Sequence, residues 1–187
     1  WSSDVCSSDL GPNNMGLVNV HDKVAPWTQQ YMKPIAPGPV AVIAQSGSIA
    51  LMLTEDQRDL GFAYFVTTGN EAGATVADYL WAIVHDARVA VVLLFIETIR
   101  DPALFAQAAR AAAAHGKRII VLKVGASAGG RALVHAHTGS LAGDDAIYGA
   151  YFAALGIVRA RDLDEMIETA VLLCADTRLP EIGRAHV

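Results

Sequence analysis

The feature that most restricts the fold of this chain is its nearly continuous apolar stretch from Arg88 to Ile96. A strand with one face in water alternates apolar and polar residues, whereas a strand buried on both faces does not. The stretch is also much shorter than the about 20 apolar residues that a helix needs to cross a bilayer. It therefore predicts a central strand of a parallel sheet that is covered by helices on both sides.

Short strand-like runs alternate with helix-like segments along most of the chain. The predicted strands cover 40–44, 62–67, 88–96, 118–124 and 156–159. The predicted helices cover 48–60, 75–85, 101–116, 144–155 and 162–174. This alternation indicates an α/β fold with right-handed crossovers, and five strands fit a flavodoxin-like parallel sheet flanked by helices.

The domain boundaries follow from composition. Residues 37–180 carry the alternating pattern, while 11–36 are rich in Pro, Asn and Gly and are interpreted as a linker with short extended pieces. Residues 1–10 and 181–187 resemble translated sequencing adapters, with natural disordered termini as the alternative. In both cases we expect no function from these end segments.

Composition excludes several classes of partner. The 187 residues have a net charge of −5, and the basic residues are scattered, which argues against a nucleic-acid partner. No signal peptide or membrane span is predicted. The two cysteines do not form a disulfide framework, so we expect a reducing cytoplasm.

Polar motifs follow the predicted strands where each strand ends. Ser46 follows the first strand, Asn70 and Glu71 follow the second, Glu97 closes the third, and His137 lies in the loop after the fourth. Ligands of such sheets bind at the carboxyl ends of the strands. The sequence therefore predicts one site at this edge.

The loop Val134–Gly143 places His137 among small residues, which leave room for a large anion on the imidazole ring. A histidine that carries a phosphoryl group needs such room, although a lone histidine is usually an ordinary polar loop residue. Residues 46–48 begin a helix, where free N–H groups attract anions. Ser46 can also be a simple N-cap, and both roles are compatible.

In order and spacing, the motifs at 45–48, 68–72, 97–101 and 134–143 resemble those of the nucleoside-diphosphate-forming acyl-CoA synthetases, the superfamily of succinyl-CoA synthetase. The resemblance runs from about Gly11 to about Ala175. It implies that His137 is the phosphorylated residue and that Glu97 hydrogen-bonds its ring. It also implies a phosphate-binding set and a pair near the acyl substrate. The first set is Ser46, Gly47, Ser48, Thr138 and Gly139, and the pair is Asn70 and Glu71.

Two departures from the family pattern bear on the site. Ala136 stands where the family has a serine. Asn14 stands where a cysteine is commoner, which resembles the feruloyl-CoA synthetase branch. For Glu97 the alternative is a strand-end carboxylate turned to solvent, and for Asn70 it is ordinary turn chemistry.

The resemblance implies that the parent protein converts a carboxylic acid, CoA and ATP to acyl-CoA, ADP and phosphate. It implies CoA and ATP/ADP with Mg²⁺ in the parent, a CoA-binding Rossmann domain, an ATP-grasp domain or subunit, and an oligomer. We expect no metal site, tight cofactor binding or turnover in this chain alone. The alternatives are an acyl-CoA-sensing module of a protein lysine acetyltransferase and a non-catalytic binding or assembly module.

Other polar residues have less specific predictions. Lys123 and Arg131 flank a glycine-rich loop and either help to hold phosphate or lie on the solvated surface. The loop lacks the Gly-Lys-Ser/Thr that ends a nucleotide-binding P-loop. We interpret His21, His85 and His115 as ordinary surface histidines.

Overall fold

The computed structural model describes residues 13–29, 34–55, 58, 60–125 and 144–175. The strands in this part are β1 (Leu17–Asn19), β2 (Pro37–Ala44), β3 (Phe62–Thr67), β4 (Val91–Ile96), β5 (Arg118–Lys123) and β6 (Val158–Ala160). The helices are α1 (Gly47–Thr54), α2 (Val76–Ile83), α3 (Pro102–Ala114), α4 (Asp145–Ala154) and α5 (Leu163–Cys174). Each predicted strand and helix is therefore present, with ends that differ by a few residues.

The strands form one sheet in the order β1-β3-β2-β4-β5-β6. Strand β1 is antiparallel to β3, and all other neighbours are parallel. When the parallel strands are numbered alone, their order is 2-1-3-4-5, which is the flavodoxin-like arrangement. The predicted α/β fold is confirmed, and β1 adds a sixth strand from the segment that we interpreted as a linker.

The apolar stretch in β4 is explained by two cores, one on each face of the sheet. Val92, Leu94 and Ile96 face one core together with the buried residues of α2 and α3. Val91, Leu93 and Phe95 alternate with them and face the other core, which contains residues of α1 and α5. Because successive side chains of a strand point to opposite faces, a strand between two cores needs apolar residues at every position.

Most of the helices begin at a side chain that caps them. The Thr75 and Asp78 pair forms a capping box at α2, and the carboxylates of Asp101, Asp144 and Asp162 accept backbone N–H bonds at α3, α4 and α5. Such caps satisfy N–H groups that have no partner inside a helix. Helix α1 differs, because its N-cap residue makes no side-chain cap bond.

Helix α1 is shorter than the predicted 48–60 and ends at Thr54. The Thr54 hydroxyl donates to the Leu51 carbonyl at 2.7 Å. A threonine that hydrogen-bonds a nearby carbonyl competes with the backbone hydrogen bonds that would continue the helix.

The hydroxyl of Thr67 helps to fasten the segment before the parallel sheet to the carboxyl edge of that sheet. Thr67, the last residue of β3, is fully buried and accepts from the N–H groups of Met15 at 2.8 Å and Gly16 at 2.9 Å. It also donates to the Gly16 carbonyl at 3.1 Å. Residues 13–16 are therefore held beside the strand ends where the site was predicted.

Two kinds of feature are absent from the described residues. None of the helices there has the length and apolar character to cross a membrane. Within the same residues, no three His, Cys, Asp or Glu side chains are grouped as a metal site would require.

Candidate functional site

The candidate site lies at the carboxyl ends of β2, β3 and β4. Strands β2 and β4 are neighbours in the sheet, although β3 separates them in the chain. This is the point where the strand order reverses, and the loops after the two strands leave toward opposite faces. A crevice between such loops is the usual ligand position in open α/β sheets.

Gln45 connects the turns that follow β2 and β4. Its side-chain oxygen accepts from the N–H groups of Glu97 at 2.5 Å and Thr98 at 3.0 Å, and its amide nitrogen donates to the Thr98 carbonyl at 2.9 Å. The residue is 7% exposed. Gln45 lies in the first sequence motif, but the sequence did not predict a role for it. The available signal was an amide side chain directly after an apolar strand.

The turn at 46–48 presents the N-terminus of α1 to a cavity. Ser46 occupies the N-cap position in an extended conformation, and the first helical hydrogen bond runs from Ala50 N to Ser46 O at 3.3 Å. The N–H groups of Gly47, Ser48 and Ile49 precede that bond and have no partner inside the helix. The Ser46 hydroxyl, which makes no cap bond, is also available to a ligand.

The cavity in front of α1 has a volume of about 290 Å³. It is lined by Asn13, Asn14, Met15, Thr28, Gln29 and residues 45–48. The lining therefore combines the predicted linker with the first motif, and it offers amide and hydroxyl groups that can hold an anion or a carboxylic acid.

Gly47 is a glycine for a steric reason. A Cβ atom at this position would lie 2.7 Å from Cγ of Met15, so the Met15 side chain occupies the place of a side chain at 47. The close contact fixes the N-terminal segment against the first turn of α1.

Glu71 is a buried carboxylate in the turn after β3. Its Oε1 accepts from the Thr68 hydroxyl at 3.1 Å and from Val76 N, at the start of α2, at 2.9 Å. Its Oε2 is buried, has no hydrogen-bond partner among the described residues, and lies 3.7 Å from Nε of Arg100. The φ of Glu71 is 53°, which is uncommon for a residue other than glycine. The hydrogen bonds and the Arg100 ion pair together hold this conformation.

Asn70 connects three segments at the exposed rim of the site. Its Oδ1 accepts from Nδ2 of Asn13 at 3.1 Å, and its carbonyl accepts from Nη2 of Arg100 at 3.1 Å. The second motif is therefore attached both to the N-terminal segment and to the third motif.

Glu97 lies inside the site and not in solvent. It is 9% exposed and lines a narrow crevice with Gln45, Thr98, Arg100 and residues 69–71. Among the described residues, none donates a hydrogen bond to its carboxylate. A carboxylate with little access to water is costly without a partner. The Glu97 carboxylate can therefore accept a hydrogen bond from a donor that reaches the crevice.

Lys123, the last residue of β5, is also buried, with 5% of its surface exposed. The alternative of a solvated surface lysine is therefore wrong for this residue. Desolvation by burial lowers the pKa of the Lys123 amine, while the charges of Asp145 and Glu97 act to raise that pKa.

Several predicted residues lie outside the described part of the chain. His137, Thr138 and Gly139 fall in the segment 126–143, as do His135 and Arg131. Their roles therefore stay predictions.

The three histidines in the described part of the chain lie away from the site. His85 and His115 are exposed, and their rings make an edge-to-face contact with centres 5.5 Å apart. This contact lies near the opposite edge of the sheet, where β4 and β5 begin. The His21 ring is half-buried and hydrogen-bonds the Gly38 carbonyl at 3.1 Å.

A parallel 2-1-3-4-5 sheet with converging polar turns at the point of strand-order reversal defines a flavodoxin-like ligand-binding domain. Residues 37–173 match the model of the succinyl-CoA ligase-like flavodoxin domain, and the chain belongs to this family.

The relatives of the chain include ADP-forming acetate–CoA ligases. It is 35% identical over 92% of its length to the alpha subunit of ADP-forming acetate–CoA ligase I from Pyrococcus furiosus and covers 36% of that protein. It is 33% identical over 94% of its length to a trans-feruloyl-CoA synthase from an unknown prokaryotic organism and covers 26% of it. The chain thus spans about a third or less of these relatives.

A solved structure has the same fold. The dinucleotide-forming acetyl-coenzyme A synthetase 1 of Ca. Korarchaeum cryptofilum, in complex with phosphate and ADP, superposes with a TM-score of 0.80 at 28% identity. The match covers 88% of this chain and 36% of that protein.

Proposed function

We propose that this chain is the part of an ADP-forming acyl-CoA synthetase that carries the phosphorylated histidine. The whole protein would convert a carboxylic acid, CoA and ATP to acyl-CoA, ADP and phosphate. The observation that supports this most directly is the convergence of Gln45–Ser48, Asn70–Glu71 and Glu97–Arg100 at one sheet edge. That convergence occurs in a domain whose relatives are ligases of this class.

His137 is the residue that we assign to phosphoryl transfer. A ring nitrogen forms the N–P bond while the bond from phosphorus to its leaving oxygen breaks, and a second displacement returns the phosphoryl group to the next acceptor. Dividing the reaction in this way replaces one difficult transfer with two easier ones. Positioning and charge stabilisation account for most of the catalysis in each step.

Glu97 is the residue that we expect to orient the His137 ring. Glu97 is 9% exposed, and no described residue donates to its carboxylate. It would accept the N–H of the ring nitrogen that does not carry the phosphoryl group, which selects one tautomer and stabilises the positive charge of the ring.

The N-terminus of α1 would hold the phosphoryl oxygens, with Ser46, Gly47 and Ser48 as donors and Thr138 and Gly139 completing the set. The first-turn N–H groups of α1 and the Ser46 hydroxyl are not used by the helix. Free N–H groups and the positive end of the helix dipole together favour a bound anion.

The remaining chemistry requires partners outside this chain. We infer a CoA-binding Rossmann domain and an ATP-grasp domain or subunit, in an oligomeric enzyme of the cytoplasm. Mg²⁺ would accompany the nucleotide on the partner domain. We expect no turnover by the 187-residue chain alone.

The phosphorylated residue can be tested in the full-length enzyme with ATP labelled on its terminal phosphate. We expect acid-labile label on His137, loss of that label in His137→Ala, and retention in the matched control His135→Ala. Label that persists in His137→Ala would contradict the assignment. Absence of label from the wild type would contradict the ligase function and would favour the acyl-CoA-sensing or assembly module.

A further inference from the structure

Two lysines are buried in the described part of the chain, and they lie at opposite edges of the sheet. Lys117 is 6% exposed, just before β5, and its ammonium donates to the carbonyls of Asp86 and Val89 at 2.6 Å each. Lys123 is 5% exposed at the end of the same strand. The contacts of Lys117 join loops remote from the candidate site, so only Lys123 is placed to affect that site.

The ammonium of Lys123 contacts residues on both sides of the segment 126–143. It donates to the carbonyl of Val124, which precedes that segment, at 2.5 Å. It also lies 4.6 Å from the centre of the Tyr148 ring in α4, the helix that follows that segment. A desolvated ammonium over an aromatic face is held more strongly than an exposed one.

Tyr148 extends this contact to the turn that carries Glu97. Its hydroxyl accepts from the N–H of Ile99 at 3.3 Å. Its ring packs against Phe152, which is 1% exposed, with ring centres 5.7 Å apart. The Tyr148 side chain is therefore anchored in the core at one end and holds the residues after β4 at the other.

The strand register places these groups side by side. Ile96 of β4 pairs with Lys123 of β5, and Val124 N donates to Ile96 O at 3.0 Å. Glu97 follows Ile96 directly, so the residue proposed to orient His137 and the residues that precede the histidine segment leave adjacent strand ends.

We propose that Lys123 is a positioning residue for phosphoryl transfer. Its contacts with Val124 and Tyr148 hold together the two ends of the segment that carries His137, and Tyr148 holds the Glu97 turn in register with them. This inference rests on the proposed function. Lys123 acts through its neighbours and does not have to contact the phosphoryl group.

The test compares rates of His137 phosphorylation from ATP in variants of the full-length enzyme. Lys123→Met removes the cation but keeps the chain length, and it should lower kcat roughly ten- to a hundredfold. The KM for ATP should change by no more than about twofold, because the interaction lost affects positioning and not nucleotide binding. Lys117→Met is the matched control, because it removes the other buried ammonium, and its kcat should stay near the wild-type value.

A second variant identifies the contact that carries the effect. Tyr148→Leu removes the ring and should lower kcat to the same extent as Lys123→Met. The double variant should then be no slower than either single variant, because the same contact is already broken. If Lys123→Met does not fold, the rate of Tyr148→Leu decides the question alone.

The outcomes separate this inference from the proposed function. A labelled wild type with unchanged kcat in Lys123→Met, or in Tyr148→Leu, would overturn the positioning role and leave the function standing. It would also be overturned if the fall in kcat of the double variant equalled the product of the falls in the two single variants. An unlabelled wild type would overturn the proposed function itself.

Discussion

The bridge made by Gln45 predicts a large and specific loss of stability. In Gln45→Met the side chain keeps its length but loses its three hydrogen bonds to the backbone of Glu97 and Thr98. Each such bond contributes about 1 kcal/mol, and a buried group left without a partner costs about 1–3 kcal/mol. We therefore expect the free energy of unfolding to fall by about 3 kcal/mol.

Urea unfolding of the 187-residue chain, followed by circular dichroism, measures this change. The matched control is Gln29→Met, because Gln29 lines the same cavity but is exposed. The control should change the unfolding free energy by less than about 0.5 kcal/mol. If the unfolding free energy of Gln45→Met also lies within about 0.5 kcal/mol of the wild-type value, the bridge does not hold the two turns as we have argued.

Two further predictions concern charged groups. Glu97→Gln keeps the shape of the side chain but removes its charge, and it should slow phosphorylation of His137 roughly ten- to a hundredfold, for a lost bond of about 1.5–3 kcal/mol. A wild-type rate in this variant would contradict the orienting role. At the opposite edge, hydrogen bonds from Arg88 hold the pKa of Asp86 well below its ordinary value. The pair therefore stabilises the fold above about pH 4 and loses this contribution as the pH falls toward the depressed pKa. The urea midpoint should fall more between about pH 6 and about pH 3 in the wild type than in Arg88→Met, and equal falls would contradict the argument.

The fold was predictable because its signals are local. The apolar run in β4 and the capping residues Thr75, Asp101 and Asp162 each act within a few residues, so periodicity and residue type were enough to find the elements. Strand β1, which has three residues, was predicted only as a short extended piece of the linker. Its place in the sheet depends on pairing with β3, about 47 residues later in the chain, and no local pattern signals that pairing.

The sequence indicated where the candidate residues lie in the fold but not which residues they contact. The polar motifs at the strand ends indicated the edge of the sheet where the described motif residues lie together. The roles of Gln45, Glu71 and Lys123 depend instead on partners brought close by the fold, such as Thr98, Arg100 and Tyr148. A lysine at a strand end is compatible with solvent until the helix that covers it is known, which is why the alternatives for Lys123 stayed open.

The Gln45 bridge has a consequence for how this site can change during evolution or design. Gln45 recognises residues 97 and 98 only through their peptide groups, which every amino acid except proline supplies in full. These hydrogen bonds therefore do not depend on which side chains occupy the two positions, apart from proline. A descendant could exchange the carboxylate for another reactive group, or discard it, while the two turns kept their mutual arrangement. At this point of the sheet, the reactive side chains can therefore change without loss of the contacts that hold the backbone in place.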